Sequence, residues 1–327
     1  MVFGMEALGE KILRDLKKKK IVLMPDFNLD RLVLWRQGVA ALASELEKVA
    51  SRKGGNIYID QNLVPGGCAA KTAWVLSLFG QRPVFIARTS PLGLKLLEYF
   101  FEGRADLSLV TADGEMALTV ALETSEANIM LTSSGSVRGF CWDDVKGRSQ
   151  LLRQADVVGI FSWNHMEKGT DLAQKVFSVA TGLTFFDTGD PTLKSRDAAE
   201  ELLARVRPDV WSVNENEAMY FGSFLGSASE PREAADTLFR HGINVVLHTR
   251  DYSYSPGGVL VPSLNVEVKQ ATGAGDCWNA GYIASRISGL STEDCLKFAN
   301  ATGACWVAGK ELSLANITSL LNQSDPK

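Results

Sequence analysis

Gln270-Ala271-Thr272-Gly273-Ala274-Gly275-Asp276 is a small glycine-rich turn that opens directly into an apolar-periodic segment, Cys277-Trp278-Asn279-Ala280-Gly281-Tyr282-Ile283-Ala284. Glycines in such a turn let the backbone approach a bound group closely and take positive φ without a Cβ clash. The unpaired N–H groups of a first helical turn, at the positive end of the helix dipole, form an anion site. Asp276 stands beside that site, where a carboxylate could take the proton of an attacking hydroxyl. The amides of Gly273, Ala274 and Gly275 would meanwhile hold a transferring phosphoryl group. The chemistry this equipment suits is phosphoryl transfer to a small alcohol. A tight loop ending in an Asp cap would use the same residues, so the rest of the chain has to agree.

Four further places carry usable groups. Asn28-Leu29-Asp30 follows a short apolar run, and an acceptor-only carboxylate there can take hydrogen bonds from two hydroxyls. Gly66-Gly67 precedes a helical pattern, so its N–H groups can touch a substrate. Asn214-Glu215-Asn216-Glu217 offers carboxylate and amide oxygens of the kind that organise hydrated Mg²⁺, with Asn214 and Glu217 the expected pair. Thr249 and Arg250 follow an apolar run at 245–248, where a hydroxyl and a positive charge could meet phosphate. His165, His241 and His248 have no i, i+4 partners, and the five cysteines form no C-x-x-C pair. Neither zinc nor a histidine-based triad is expected, and the cysteines read as reduced and mostly buried.

These groups need a scaffold, and the pattern supplies one. Short apolar runs at 21–24, 84–87, 107–110, 157–161, 184–186, 210–213 and 245–248 read as strands. They alternate with helical patterns at 71–79, 92–101, 171–180, 198–206, 215–221 and 231–240, and three more helices at 277–287, 292–307 and 314–321 close the chain. That rhythm predicts an α/β fold with a mostly parallel sheet covered by helices on both faces. Residues 56–64 and 116–132 alternate instead, as strands with one wet face do, and are placed in a small lid sheet. The expected organisation is one domain over 1–327, with lid segments near 54–65 and 115–133 and a helical N-terminal extension over 1–20.

At 327 residues and 46% hydrophobic the chain can bury a large core. A net charge of −4 argues against nucleic-acid binding through phosphate neutralisation. The one basic run, Lys17 to Lys20, reads as a solvated helix end. No apolar run reaches the length of a membrane span and no signal-peptide pattern opens the chain, so a cytoplasmic location is expected, without membrane partners.

The G-A-G-D string with Gly281 resembles the carboxy-terminal signature of the ribokinase-like (PfkB) carbohydrate kinases. Other strings follow in the family's order: Asn28-Leu29-Asp30 is similar to its N-x-D. Gly66-Gly67-Cys68-Ala69-Ala70-Lys71-Thr72-Ala73 is similar to its G-G-x-x-x-N-x-A, and Asn214 to Glu217 to its N-x-x-E. The resemblance implies a three-layer sandwich with a β lid that covers the sugar site and often joins a dimer contact. It implies ATP as donor, Mg²⁺, and a sugar or sugar-like acceptor, with Asp276 as general base. It places Asn28, Asp30, Gly66, Gly67 and Lys71 on the acceptor, and Thr249, Arg250, Thr272 and Asn300 on the nucleotide.

Three departures matter. Lys71 stands where the family has Asn, which brings a positive charge and invites an anionic acceptor such as a sugar phosphate, ribose 1-phosphate among them; a lysine snorkelling to solvent is the competing reading. The loop after 245–248 lacks the family's T-x-G-x-x-G glycines, which leaves ADP open as donor. Gln270 and Ala271 replace the usual D-T, so activation by potassium is not assumed. A nucleoside or inositol kinase and a catalytically silent sugar-binding regulator are the alternatives. A Rossmann dehydrogenase is disfavoured because no G-x-G-x-x-G follows the first strand.

Overall fold

The computed structural model describes residues 5–324; the first four residues of the expected N-terminal helical extension lie outside the described residues. Ile21–Met24 (β1) is buried along its whole length and sits inside a nine-stranded sheet. Asn28–Leu34 (β2) and Asp60–Gly66 (β3) leave that sheet, whereas Val84–Arg88 (β4) and Asp106–Thr111 (β5) return to it. Ala117–Glu123 (β6) and Asn128–Ser133 (β7) form a hairpin away from it. Val157–Ile160 (β8), Leu183–Asp187 (β9), Val210–Asn214 (β10) and Val245–His248 (β11) extend the large sheet in parallel. Tyr252–Ser255 (β12) and Val259–Pro262 (β13) add an antiparallel edge. The order is β13-β12-β11-β10-β9-β8-β1-β4-β5.

Helices cover both faces, as two apolar clusters require. One packs Phe79, Phe85, Phe161 and Phe298 beneath the helices Cys68–Leu78, Ala274–Ile287 and Thr292–Val307. The other packs Trp163, Phe186, Trp211 and Phe221 beneath Gly169–Val179, Arg196–Arg205, Glu215–Gly222 and Pro231–Arg240. The expected three-layer α/β architecture is therefore present. Among the described residues, no helix is long and apolar enough to cross a membrane.

The lid sheet has the order β3-β2-β6-β7. Its strands include β3, at 60–66 where 56–64 was expected, and the β6–β7 hairpin, and a further strand, β2, runs between them, pairing antiparallel with β3 and parallel with β6. Asn28 and Asp30 thus lie on a lid strand, not in a loop after β1. Period-2 alternation marks β2 only weakly, because Asp30, Leu32 and Leu34 share the face turned toward the site. The helix Val39–Ser51 between β2 and β3 was also unexpected; Val39, Leu42, Leu46 and Val49 recur at helical spacing along it, yet it buries none of its residues.

Candidate active site

β1 ends at Met24 and Asp26 follows, 1% exposed. One carboxylate oxygen of Asp26 accepts from the Cys68 amide at 2.6 Å and from the Ser162 hydroxyl at 2.8 Å; the other accepts from the Ala69 amide at 3.0 Å. This cap starts the Cys68–Leu78 helix, whose preceding residue Gly67 has no side chain to do so. Gly67 has φ +90, and a Cβ there would lie 2.7 Å from the Asp26 carbonyl oxygen, so only glycine fits. Asp26 did not emerge from the sequence; its signal was an acid two residues before Asn28 at a strand end.

Next to Gly66 lies Asp30, partly buried, with one oxygen lacking any partner among the described residues. Burial raises its pKa to about 6. Asn28 donates to Thr119 Oγ1 at 3.5 Å and lies outside the lining of the cavity that Asp30 faces. That cavity, about 220 Å³, is walled by Asp30, Gly66, Gly67, Lys71, Gly273 and Asp276, with Trp306, Glu123 and Lys269 around them.

Asp276 enters from the first turn of the Ala274–Ile287 helix. Gly273 caps that helix at φ +84 in the left-handed region. The amide of Ala274 is taken by the Ala271 carbonyl at 3.1 Å, whereas among the described residues no acceptor takes the amides of Gly273, Gly275 and Asp276. The donor set available to an anion therefore differs from the expected one: Asp276 contributes its own N–H, and Ala274 does not. Burial first, then the charges of Asp187 and Asp26, raise the Asp276 pKa to about 7; the Cys68 thiol and Lys71 work in the opposite direction.

Asp187, at the end of β9, is a second acid the sequence reading missed. It accepts from the Gly189 amide at 2.9 Å and from Asn279 Nδ2 at 2.7 Å, and burial lifts its pKa to about 6. Its charge also raises Glu217, which burial already holds well above the usual carboxylate range. Glu217 and Asn214 form a capping box: the Asn214 amide N–H reaches one Glu217 oxygen at 3.0 Å, Nδ2 the other at 2.8 Å, and Oδ1 receives the Glu217 amide at 2.9 Å. Among the described residues, no cluster of three acids, histidines or cysteines could bind a metal directly. What the arrangement offers is mutually repelling buried carboxylates whose repulsion a hydrated divalent cation would relieve, which fits Mg²⁺ held through water.

A larger cavity has a volume of about 610 Å³. It is lined by Val261 to Glu267, Asn300, Ala308 and Lys310, and shares Lys269 with the smaller one. Asn300 shapes its wall, but its amide is spent on Ser253, on Trp278 Nε1 at 2.8 Å and on the Val261 and Pro262 carbonyls. Thr249 is similarly occupied, donating to the Tyr252 carbonyl at 2.8 Å and accepting from the Tyr252 amide at 3.0 Å; it closes the β11–β12 turn, and neither it nor exposed Arg250 lines this cavity. His248 stacks on Trp278 with centroids 4.8 Å apart, and burial lowers its pKa to about 4, so a neutral ring backs Gly275. The Gln270 side chain donates to the Trp306 carbonyl at 3.0 Å, a use that an Asp in its place could not make.

Against known proteins, the model of the pfkB family carbohydrate kinases matches residues 47–318. Ribokinase from Arabidopsis thaliana complexed with ribose and ATP has the same fold, with a TM-score of 0.69 at 18% identity over 93% of this chain and 98% of that one. The Methanocaldococcus jannaschii nucleoside kinase gives a TM-score of 0.68 at 16% identity, covering 94% and 99%. An E. coli structure assigned as a ribokinase II with ATP and Mg²⁺ gives 0.72 at 17%, covering 93% and 99%. No curated protein sequence matches significantly. The likenesses in structure establish the fold, and the family match over most of the chain establishes membership: this chain belongs to the pfkB family of carbohydrate kinases, phosphotransferases with an alcohol group as acceptor.

Proposed function

We propose that the protein transfers the terminal phosphoryl group of ATP to a hydroxyl of a sugar or sugar-like molecule, with Asp276 as the general base. The observation that carries this reading is the shared cavity: Asp30 and Asp276 wall one small pocket at the Gly273 turn, with Asp276 poised near pH 7. A base works best when its pKa lies near the working pH. Asp30 would take hydrogen bonds from neighbouring acceptor hydroxyls through its orphaned oxygen. That holds the reacting hydroxyl toward Asp276. The free amides of Gly273, Gly275 and Asp276 would then face the charge gathering on the phosphoryl oxygens.

The larger cavity is of a size for a nucleotide base and ribose, and Lys269 on its shared wall would accompany the phosphates toward the turn. Mg²⁺ would sit between donor phosphates and the Asp187–Glu217 side through its waters, supplying charge neutralisation. The lid, already bonded to the catalytic loop, would exclude water from the transfer. ADP remains the alternative donor, since nothing in the altered β11–β12 loop selects a triphosphate. The exposed lid residues Leu63, Leu118 and Leu131 support a homodimer through the lid, which sedimentation of wild type and L131E would test.

The test is a coupled phosphorylation screen over sugars, nucleosides, inositols and sugar phosphates, with ATP and ADP in parallel. Transfer to at least one acceptor is expected; none, with either donor, would refute the kinase reading and favour a silent binding protein.

A further inference from the structure

Lys71 is 6% exposed, an unusual state for a lysine on the first turns of a helix. Its Nζ lies 3.3 Å from the ring centroid of Trp306 and 4.6 Å from that of Trp74. The two indoles meet edge to face at 6.3 Å, and the ammonium lies over both rings. The Trp306 indole is itself fixed, its Nε1 donating to the Thr272 carbonyl at 2.8 Å. Among the described residues no oxygen accepts from the ammonium, and it lines the cavity that Asp30 and Asp276 wall. The side chain does not snorkel away from the site; it is aimed into it.

An ammonium has three donors and no acceptor. The indole faces offset part of its lost hydration, but they leave the donors on the cavity side unmet. Asp276 and Asp30 attract the ammonium across the cavity without accepting from it, and a neutral hydroxyl would satisfy only one donor, a task the amide of an Asn performs at less desolvation cost. An anionic oxygen forms a charge-assisted bond, roughly twice as strong. We propose that Lys71 binds an anionic oxygen of the acceptor, so that the substrate is an acidic sugar or polyol, a sugar carboxylate or a sugar phosphate. This inference rests on the kinase reading above and narrows its acceptor class. Asp30 and Asp276 would repel the anion, so it must lie against the Lys71–Trp306 wall, leaving the hydroxyls to the two aspartates. Glu123, the third acid of the cavity, is turned to the Thr272 hydroxyl at 3.0 Å.

The test compares D-gluconate with D-glucose and D-ribose 5-phosphate with D-ribose, in calorimetric binding and in coupled phosphorylation, on wild type and K71M. Methionine keeps the stem's volume, and a ratio between two ligands in one preparation is insensitive to its folded fraction. Wild type should bind one acid at least about 30-fold more tightly than its neutral counterpart, and K71M should bring that ratio close to one. Which acid it is separates carboxylate from phosphate. Equal or better binding of the neutral sugars, a preference that survives in K71M, or no binding of either acid would overturn the proposal. An acid bound through Lys71 but never phosphorylated would uphold it and refute the kinase reading. Neutral sugars phosphorylated alike by both proteins would do the reverse.

Discussion

Thr272 Oγ1 donates to Glu123 Oε1 at 3.0 Å and accepts from Asn128 Nδ2 at 2.6 Å, so both strands of the β6–β7 hairpin are bonded, beside its turn, to the residue before Gly273. The lid is latched to the loop that carries the anion site, and acceptor enclosure is thereby coupled to the catalytic turn. Thr272, read from sequence as a nucleotide contact, belongs by its side chain to this latch.

Removing the latch should cost acceptor affinity before it costs chemistry. T272V keeps the shape of the side chain and loses both bonds. Its KM for the acceptor should rise about 30-fold, from net bond energies of about 1 kcal/mol each. Amide exchange over β6 and β7 should quicken. An unchanged KM with unchanged exchange would show that the lid is held by other contacts.

Glu217 allows cap and cation roles to be separated. E217Q retains an oxygen for one of the two Asn214 donors, so unfolding stability should fall less than in E217A, while the Mg²⁺ concentration for half-maximal rate should rise about 10-fold, as loss of an outer-sphere partner does. E217A should lose about 1 kcal/mol of stability as well. Rate titrations with Mg²⁺ beside urea denaturation check both. An unaltered Mg²⁺ requirement in E217Q would assign the residue to helix capping alone.

Asp276 also sets a pH dependence with a definite sign. Its carboxyl is pushed up to about 7, and the base must be ionised to act, so kcat/KM should rise with pH through about 7 and level above it. A raised carboxyl favours the protonated folded form; its stabilising contribution is complete below the ordinary Asp value of 3.8 and is lost as pH climbs through about 7. D276N should therefore be more heat-stable than wild type at pH 8, by about 1–3 °C, and no more stable at pH 4. Scanning calorimetry at the two pH values decides it; a Tm gain at pH 4 equal to that at pH 8 would contradict this origin.

Asp26 is predicted to be structural support for the acceptor wall. D26A strands two helix amides and the Ser162 hydroxyl, and should cost about 2–4 kcal/mol in urea unfolding. A loss below about 0.5 kcal/mol would mean that water replaces the cap.

Most of the framework was legible because buried parallel strands are short apolar runs and their helices carry the 3.6-residue period; Pro231–Arg240 and Thr292–Val307 coincide with the pattern-based bounds. Most of what escaped lacked a local signal. β2 mixes Asp30 and Arg31 with leucines because one face looks into the cavity, and β12 is only four residues of alternating tyrosine and serine. Asp276, Asp30 and Gly67, which line one cavity, had been singled out from the G-A-G-D, N-x-D and G-G strings. Asp26 and Asp187 were not, because each acquires its role from groups far along the chain: Ser162 is 136 residues from Asp26, and Asn279 is 92 from Asp187. Thr249 and Asn300 were readable as polar residues in the right neighbourhood, but only the folded chain shows their hydrogen bonds already spent.

The most direct measurement is the single-turnover rate of Asp276→Asn with an acceptor found by the screen, beside calorimetric binding of that acceptor. The account predicts a rate lowered by about 10³-fold or more, with affinity changed less than about 5-fold. A rate within about 10-fold of wild type, at any pH, would contradict it, because the proton would then leave the hydroxyl without this carboxylate.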